Sequence, residues 1–256
     1  MRIAWRTLPA VLLLVALLGA WELYVDLGGV DSVILPPPHD VAKALYADRS
    51  LLWSNFVVTA QEILLGILLA TVASVALVIA IHFSRTLRSA AYPLLVASQT
   101  VPIQMLAPVL VLWLGFGLGP KLIVIALVSF FPIVVTALNA LTAVDADLLK
   151  LMQTFDASRL RTFRHVELPA ALPGLLTGVK IAVVFSVIGA VFAEQSGANS
   201  GLGYLFLQSL PQLLTARAFA AVVILSLFAI ALFALLTLVE RQALSWAYQP
   251  RGERST

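Results

Sequence analysis

The 256-residue sequence has no cysteine and little charge: Asp, Glu, Lys and Arg together reach only 11%. The first absence excludes disulfides, thiol catalysis, thiolate metal sites and iron–sulfur clusters. The second sets the chain apart from an ordinary soluble domain, which carries about 25% charged residues. Histidine is scarce as well; His39, His82 and His165 stand far apart and show no metal-ligand spacing. No phosphate-cradling glycine loop, nucleophile–base pair or carboxylate dyad is visible, so no motif supports nucleotide binding, nucleic-acid binding or catalysis. What the sequence has in abundance is apolar side chains, 61% of the total, with a mean hydropathy of +1.01. A soluble domain of this length cannot hide that much apolar surface under so few polar groups, and disorder is excluded with it. The class is an all-α, multi-pass membrane protein.

A helix needs about 20 apolar residues to cross the hydrocarbon core. Six windows qualify, over residues 8–27, 63–81, 92–115, 122–143, 170–193 and 218–239. They predict six transmembrane helices in one membrane domain spanning 1–256. The first window is expected to be a retained helix rather than a signal peptide. Arg2 and Arg6 precede it, but the run is long and Gly19-Ala20-Trp21-Glu22 is a poor cleavage site. Lys180, inside the fifth window, lies about 10 Å past Pro173 along a helix and is expected to snorkel to the interface.

Lysine and arginine bias sets orientation. With a cytoplasmic N-terminus, the inner segments hold Arg2, Arg6, Arg85, Arg88, Lys150, Arg159, Arg161, Arg164, Arg241, Arg251 and Arg254, against Lys43, Arg49, Lys121 and Arg217 outside. That split of 11 to 4 places both termini in the cytoplasm. The first outer loop opens on Leu35-Pro36-Pro37-Pro38, an extended entry to a short helix that Asp40 is expected to cap. No convincing internal repeat is present, which speaks against a transporter of fused inverted repeats.

The long cytoplasmic connection, residues 144–169, carries the strongest signal. Asp145 or Asp147 suits the cap of one short helix and Asp156 the cap of a second. On that second helix Leu160, Phe163, Arg164 and Glu167 share a face, flanked by Arg159 and Arg161. Pro169 is expected to end it, and Pro173 to sit in the first turn of the next span. A solvated basic loop explains the arginines but not Leu160 and Phe163 facing water between them. A small apolar knob ringed by charge reads as a docking helix for a cytoplasmic partner.

The stretch from Asp156 to Gly178, with Leu168-Pro169-Ala170-Ala171-Leu172-Pro173-Gly174 at its centre, resembles the EAA loop of ABC importer permeases. Smaller matches, Leu35-Pro36-Pro37-Pro38, the run from Trp113 to Gly117, Phe130-Phe131-Pro132-Ile133 and Gly201-Leu202-Gly203, extend the resemblance over most of the chain. They resemble the branch that imports nitrate, sulfonates, taurine or thiamine pyrimidine precursors. There are two departures: the family's E-A-A falls on Lys150-Leu151-Met152, and its glycine falls on Asp156. Aspartate tolerates left-handed backbone better than most residues, so the bend is expected to survive. The resemblance implies a type I importer permease of a bacterial plasma membrane, with no cofactor of its own, and two copies around the path. It also implies a cytoplasmic ABC ATPase dimer that binds ATP and Mg, and an external solute-binding protein. By position, Ala157, Ser158, Arg159, Leu160, Arg161, Phe163 and Arg164 would couple to the ATPase.

Polar groups inside spans are costly and therefore informative. Candidates for the solute path are Gln99, Gln104, Ser129, Asn139, Ser186 and Glu194. For the serines, glue between helices is the bland alternative; for Glu194 it is a hydrated interfacial carboxylate. Gln99 and Gln104 point about 140° apart on a regular helix, so a distortion at Pro102 is expected if both face one cavity. The expected function is permeation of a small solute, a thiamine pyrimidine precursor on the resemblance of residues 179–194, with sulfonate, taurine or nitrate as alternatives. An ion-coupled secondary transporter or channel would need an ionisable residue at a span centre, and a membrane enzyme would need a catalytic constellation; the sequence offers neither.

Overall fold

A computed structural model describes residues 2–248, without the side chains of residues 2–7, 10, 85, 91, 92, 96, 247 and 248. Of the basic residues counted above, Arg251 and Arg254, and the side chains of Arg2, Arg6 and Arg85, lie outside the described residues. Among those described, all regular structure is helical. In chain order the helices are α1 (Arg2–Gly28), α2 (Pro38–Ala47), α3 (Arg49–Phe83), α4 (Arg85–Ser98), α5 (Ile103–Leu114), α6 (Leu118–Thr142), α7 (Ala146–Thr154), α8 (Arg159–Thr162), α9 (Leu168–Gln195), α10 (Leu202–Ser209) and α11 (Thr215–Ala243). A π-turn, Phe163–Glu167, joins α8 to α9, and a short 3₁₀ turn, Ser245–Tyr248, follows α11.

Five of these are long and apolar enough to cross a membrane: α1, α3, α6, the rod Arg159–Gln195 and α11. The third window, expected as one span, is instead divided into α4 and α5, and α5 alone is too short to span. Pro102 is the cause. It has no N–H to donate and biases Val101 away from helix. The chain turns at Gln99–Thr100, where the Thr100 N–H and hydroxyl both donate to the Ala97 carbonyl, and α5 restarts from an extended Pro102.

The chain divides into two compact units. One comprises Met1–Thr59 and Asn199–Leu227. Within it, Pro37 is extended and Pro38 opens α2, as the proline run predicts. Asp40 is not the cap; it sits in the first turn, where the Lys43 ammonium donates to it at 2.9 Å and holds its carboxyl below the usual range. Asp48 receives a two-bonded Arg217 at 2.7 and 3.0 Å. Asn55 and Thr59, on one face of α3, accept the Gly201 and Leu202 N–H groups at 2.7 and 2.8 Å, satisfying the free start of α10.

The other unit comprises Ala60–Ala198 and Phe228–Thr256. Its spine is the seam between α6 and α9. Ile125, Ile133, Ala182, Val183 and Ala190 are fully buried there, with Ile63, Ile67 and Ala70 of α3 alongside. Gly178 permits the approach. A Cβ at Gly178 would lie 2.1 Å from Thr136 Oγ1 and 2.8 Å from the Ile133 Cα, so no larger residue fits without moving α6.

Pro169 does not end a helix, contrary to expectation. The preceding π-turn carries the Leu168 N–H to the Phe163 carbonyl, and the wider turn takes up the ring that would clash in a regular helix. Helical backbone therefore runs from Arg159 to Gln195 with Pro173 in its interior.

Candidate functional site

The loop over 144–169 folds as two short helices. Asp145 caps α7, its carboxylate accepting from the Asp147 N–H at 2.9 Å. Asp156 is not the cap of α8; Ser158 is, accepting from the Arg161 N–H. Asp156 instead adopts φ +51 just past α7. Its N–H donates to the Gln153 carbonyl and the Ala157 N–H to that of Met152. This pair of bonds is a Schellman C-cap, the geometry a glycine ordinarily supplies, and an aspartate fills it here.

The seven coupling candidates separate. Ser158, Leu160, Arg161 and Arg164 are exposed, Leu160 at 65%, and Ala157 is half-buried. Phe163 is not part of an exposed knob. At 6% exposure it packs against the rings of His82 and Phe83, at 4.9 and 5.2 Å between centroids. Arg159 is structural as well: it donates to the His82 and Phe83 carbonyls at 2.6 and 3.4 Å and lies over the Phe83 ring, finishing the free end of α3. The apolar surface that stays free includes Phe155 at 71% and Leu151 at 50%, both missed from sequence. Phe155 is the last residue before the Schellman turn.

The path candidates separate too. Gln99 and Gln104 line one cavity of about 550 Å³, so the break at Pro102 brings two amides together that a straight helix would hold apart. The rest of that lining is apolar apart from Ser98, and includes Phe130, Phe185 and Phe192. Ser129 and Ser186 do not reach it: both are fully buried and donate to backbone carbonyls, Ser129 across the seam to Ala182 at 3.5 Å and Ser186 to Val183 at 2.7 Å. Asn139 is exposed at the other end of α6, lining a separate cavity.

Glu194 is not a hydrated interfacial carboxylate. At 1% exposure it lies within hydrogen-bonding reach of Glu62, whose Oε1 accepts from Lys121 Nζ at 2.6 Å. Lys121, read as a loop cation, is 9% exposed at the start of α6. This cluster ties α3, α6 and α9 together at the end of the unit opposite the loop. Lys180 does not snorkel either; it donates to the buried Glu240 on α11. In the other unit His39 meets Glu22 and Asp26 of α1, with ligand-type atoms within 4.8 Å of one another. Both His39 ring nitrogens already face carboxylates, Glu22 and Asp40, so an exposed ion-paired cluster accounts for the arrangement.

Comparison with known proteins gives these residues a context. The family described as "Binding-protein-dependent transport system inner membrane component" matches residues 62–244. A probable ABC transporter permease protein of Haemophilus influenzae is 36% identical, over 89% of this chain and 93% of its own length. The formylaminopyrimidine transport permease protein ThiX of Halalkalibacterium halodurans is 33% identical, over 96% and 98%. The riboflavin transport system permease protein RibX of Chloroflexus aurantiacus is also 33% identical, over 96% and 92%. A crystal structure of an amino acid ABC transporter with histidines superposes with a TM-score of 0.61, covering 77% of this chain and 96% of that one; at 15% identity it supports the fold alone.

Proposed function

The chain belongs to the binding-protein-dependent transport system inner membrane components, a multi-pass ABC importer permease, and from that premise we propose that it translocates a thiamine pyrimidine precursor. The observation that carries the choice of solute is the lining of the cavity at the broken span. Three phenylalanines and two primary amides suit a neutral, flat heterocycle with apolar faces and hydrogen-bonding edges, and among the described residues no cationic side chain lines the cavity to hold a sulfonate or nitrate. The formylaminopyrimidine permease among the relatives agrees with this.

In this reading two copies enclose the path, both termini and the 144–169 loop face the cytoplasm, and an ATPase dimer docks on Leu160, Phe155 and Leu151. The rod Arg159–Gln195 then acts as a lever. It is about 55 Å long at 1.5 Å per residue, unbroken at Pro169, and packed along α6. ATP-driven displacement of the loop moves the whole rod, switching the path between inward-open and outward-open arrangements. Solute arrives from an external binding protein.

The test is uptake into proteoliposomes holding the permease, its ATPase and its binding protein. Labelled formylaminopyrimidine should accumulate with ATP, unaffected by excess taurine or nitrate. Accumulation of taurine, or of riboflavin with no uptake of the pyrimidine, overturns the solute assignment. Uptake on an ion gradient without the ATPase overturns the ATP-driven reading.

A further inference from the structure

The end of the unit that carries the loop holds a polar feature that coupling and permeation leave unused. A cavity of about 410 Å³ is lined by Ile81, His82, Ser84, Arg88 and Arg159. An adjoining one of about 220 Å³ shares Ile81, His82 and Arg88 and reaches Asn139 and Thr142. Two guanidinium groups and a buried imidazole line the first, and among the described residues no carboxylate lines either cavity. The nearby Glu167 is occupied, its Oε2 3.0 Å from His82 Nε2.

The donors of this cluster are incompletely used. Among the described residues Arg88 makes no ion pair, and both arginines lie within electrostatic reach of His82. Arg159 gives two N–H groups to the carbonyls that end α3, and a guanidinium has five. Ser84 Oγ accepts from the Leu87 N–H at 3.3 Å, which leaves its own O–H free to donate. His82 is nine-tenths buried, and neither ring nitrogen makes a well-aligned hydrogen bond among the described residues, Nε2 having only its charge contact with Glu167. Buried polar atoms without partners are uncommon and mark places where a ligand or water completes the bonding. An unpaired arginine beside a half-used one, with a free hydroxyl in the same lining, is a donor set for a tetrahedral oxyanion.

We propose that Ser84, Arg88 and Arg159 form a binding site for a phosphate-bearing anion, walled by His82 and held between the junction of α3 with α4 and the start of the α8–α9 rod. The phosphate comes either from an anionic lipid headgroup or from a free phosphate. The site lies at the interfacial end of the span, where basic pockets between helices take lipid headgroups. Occupancy ties Arg88 of α4 to Arg159 of the loop, so a bound phosphate stiffens the base of the lever.

The test uses the purified, delipidated full-length chain in neutral detergent, with thermal unfolding as the readout. Dihexanoyl phosphatidylglycerol and inorganic phosphate are titrated separately, with dihexanoyl phosphatidylcholine as the control. Saturable stabilisation by phosphatidylglycerol alone identifies the headgroup; stabilisation by inorganic phosphate as well identifies phosphate itself as sufficient. Arg88→Gln should unfold at the wild-type temperature without ligand, because it breaks no internal bond, and should bind about tenfold more weakly. Asn139→Asp, which adds a carboxylate to the adjoining cavity from an exposed position, should weaken binding in the same direction. The proposal is overturned if neither probe stabilises the wild type, if phosphatidylcholine does so equally, or if both variants bind as the wild type does.

Discussion

The α6–α9 seam and the interrupted α4–α5 segment belong to the same unit and come from similarly apolar sequence, yet they pack in opposite ways. Along the seam the buried hydroxyls have partners among the described residues. Ser129 bonds across it, Thr136 bonds within its own helix, and Gly178 brings the two backbones together. At the interrupted segment Gln99 and Gln104 are exposed to a cavity, and Leu94, Met105, Leu112 and Trp113 point away from the chain's own core at 68–82% exposure. A tight, satisfied interface transmits displacement, because a close-packed contact cannot absorb it. A loose segment with free amides is where a solute can make contacts the protein does not make with itself. Under the proposed function the rod is the moving part, and the broken span the surface it works on.

The largest effect is expected where the seam is closed by charge. Lys121 is the cation of a buried cluster with Glu62 and Glu194. Lys121→Met removes it and leaves two carboxyl groups buried together, at a cost of about 3–5 kcal/mol for breaking a buried pair from one side. Lys121→Arg keeps the charge and should lose much less. Thermal unfolding in detergent measures both. Equal stability of Lys121→Met and the wild type would mean that the cluster does not hold the seam.

Next comes the loop, where the structure separates two residues that look alike in the sequence. Leu160 is exposed and Phe163 is not. Leu160→Asp should leave the permease as stable as the wild type. It should also forfeit the burial of one leucine at the ATPase, about 1.5–3 kcal/mol or roughly ten- to a hundredfold in affinity. Phe163→Ala should do the reverse, lowering permease stability by about 3 kcal/mol as a buried aromatic truncation. ATPase co-purification and an unfolding curve on each variant distinguish them. If Phe163→Ala keeps full stability and releases the ATPase, the docking face has been drawn on the wrong side of the helix.

That contrast shows what a linear sequence conveys and what it withholds. Five of the six expected spans were legible because the lipid core demands long apolar runs, and a distortion at Pro102 in the remaining one because two amides five residues apart cannot share a cavity on a straight helix. A cap at Asp145 or Asp147 was legible from local bonding, which leaves the choice between them open, and the left-handed Asp156 from the resemblance, whereas the cap expected at Asp156 falls on Ser158. The burial of Phe163 was not legible, because the rings that cover it, His82 and Phe83, belong to the distant end of α3. The pairs Lys121–Glu62 and Lys180–Glu240 stand 59 and 60 residues apart. A charge at the edge of an apolar window looks like a loop charge until the facing helix is known. Leu151 and Phe155 were passed over because each looks like the inner face of a short amphipathic helix, and the loop has no core for that face to enter.

The smallest expected effect on the protein itself belongs to the broken span, and it sharpens the comparison most. Gln99→Leu and Gln104→Leu alter exposed side chains whose amides serve the cavity rather than the fold. Gln99 makes only a 3.5 Å contact to Ser98, so no strong internal bond is lost. Unfolding temperature and ATPase retention should stay at wild-type values for both. Uptake should fall by about two- to tenfold in each, the range expected for one lost hydrogen bond to the passing solute. The double variant should fall further, because both amides line the same 550 Å³ space. Wild-type uptake in the double variant would remove this cavity from the path. A loss of stability in either single variant would show that the segment is held as tightly as the seam.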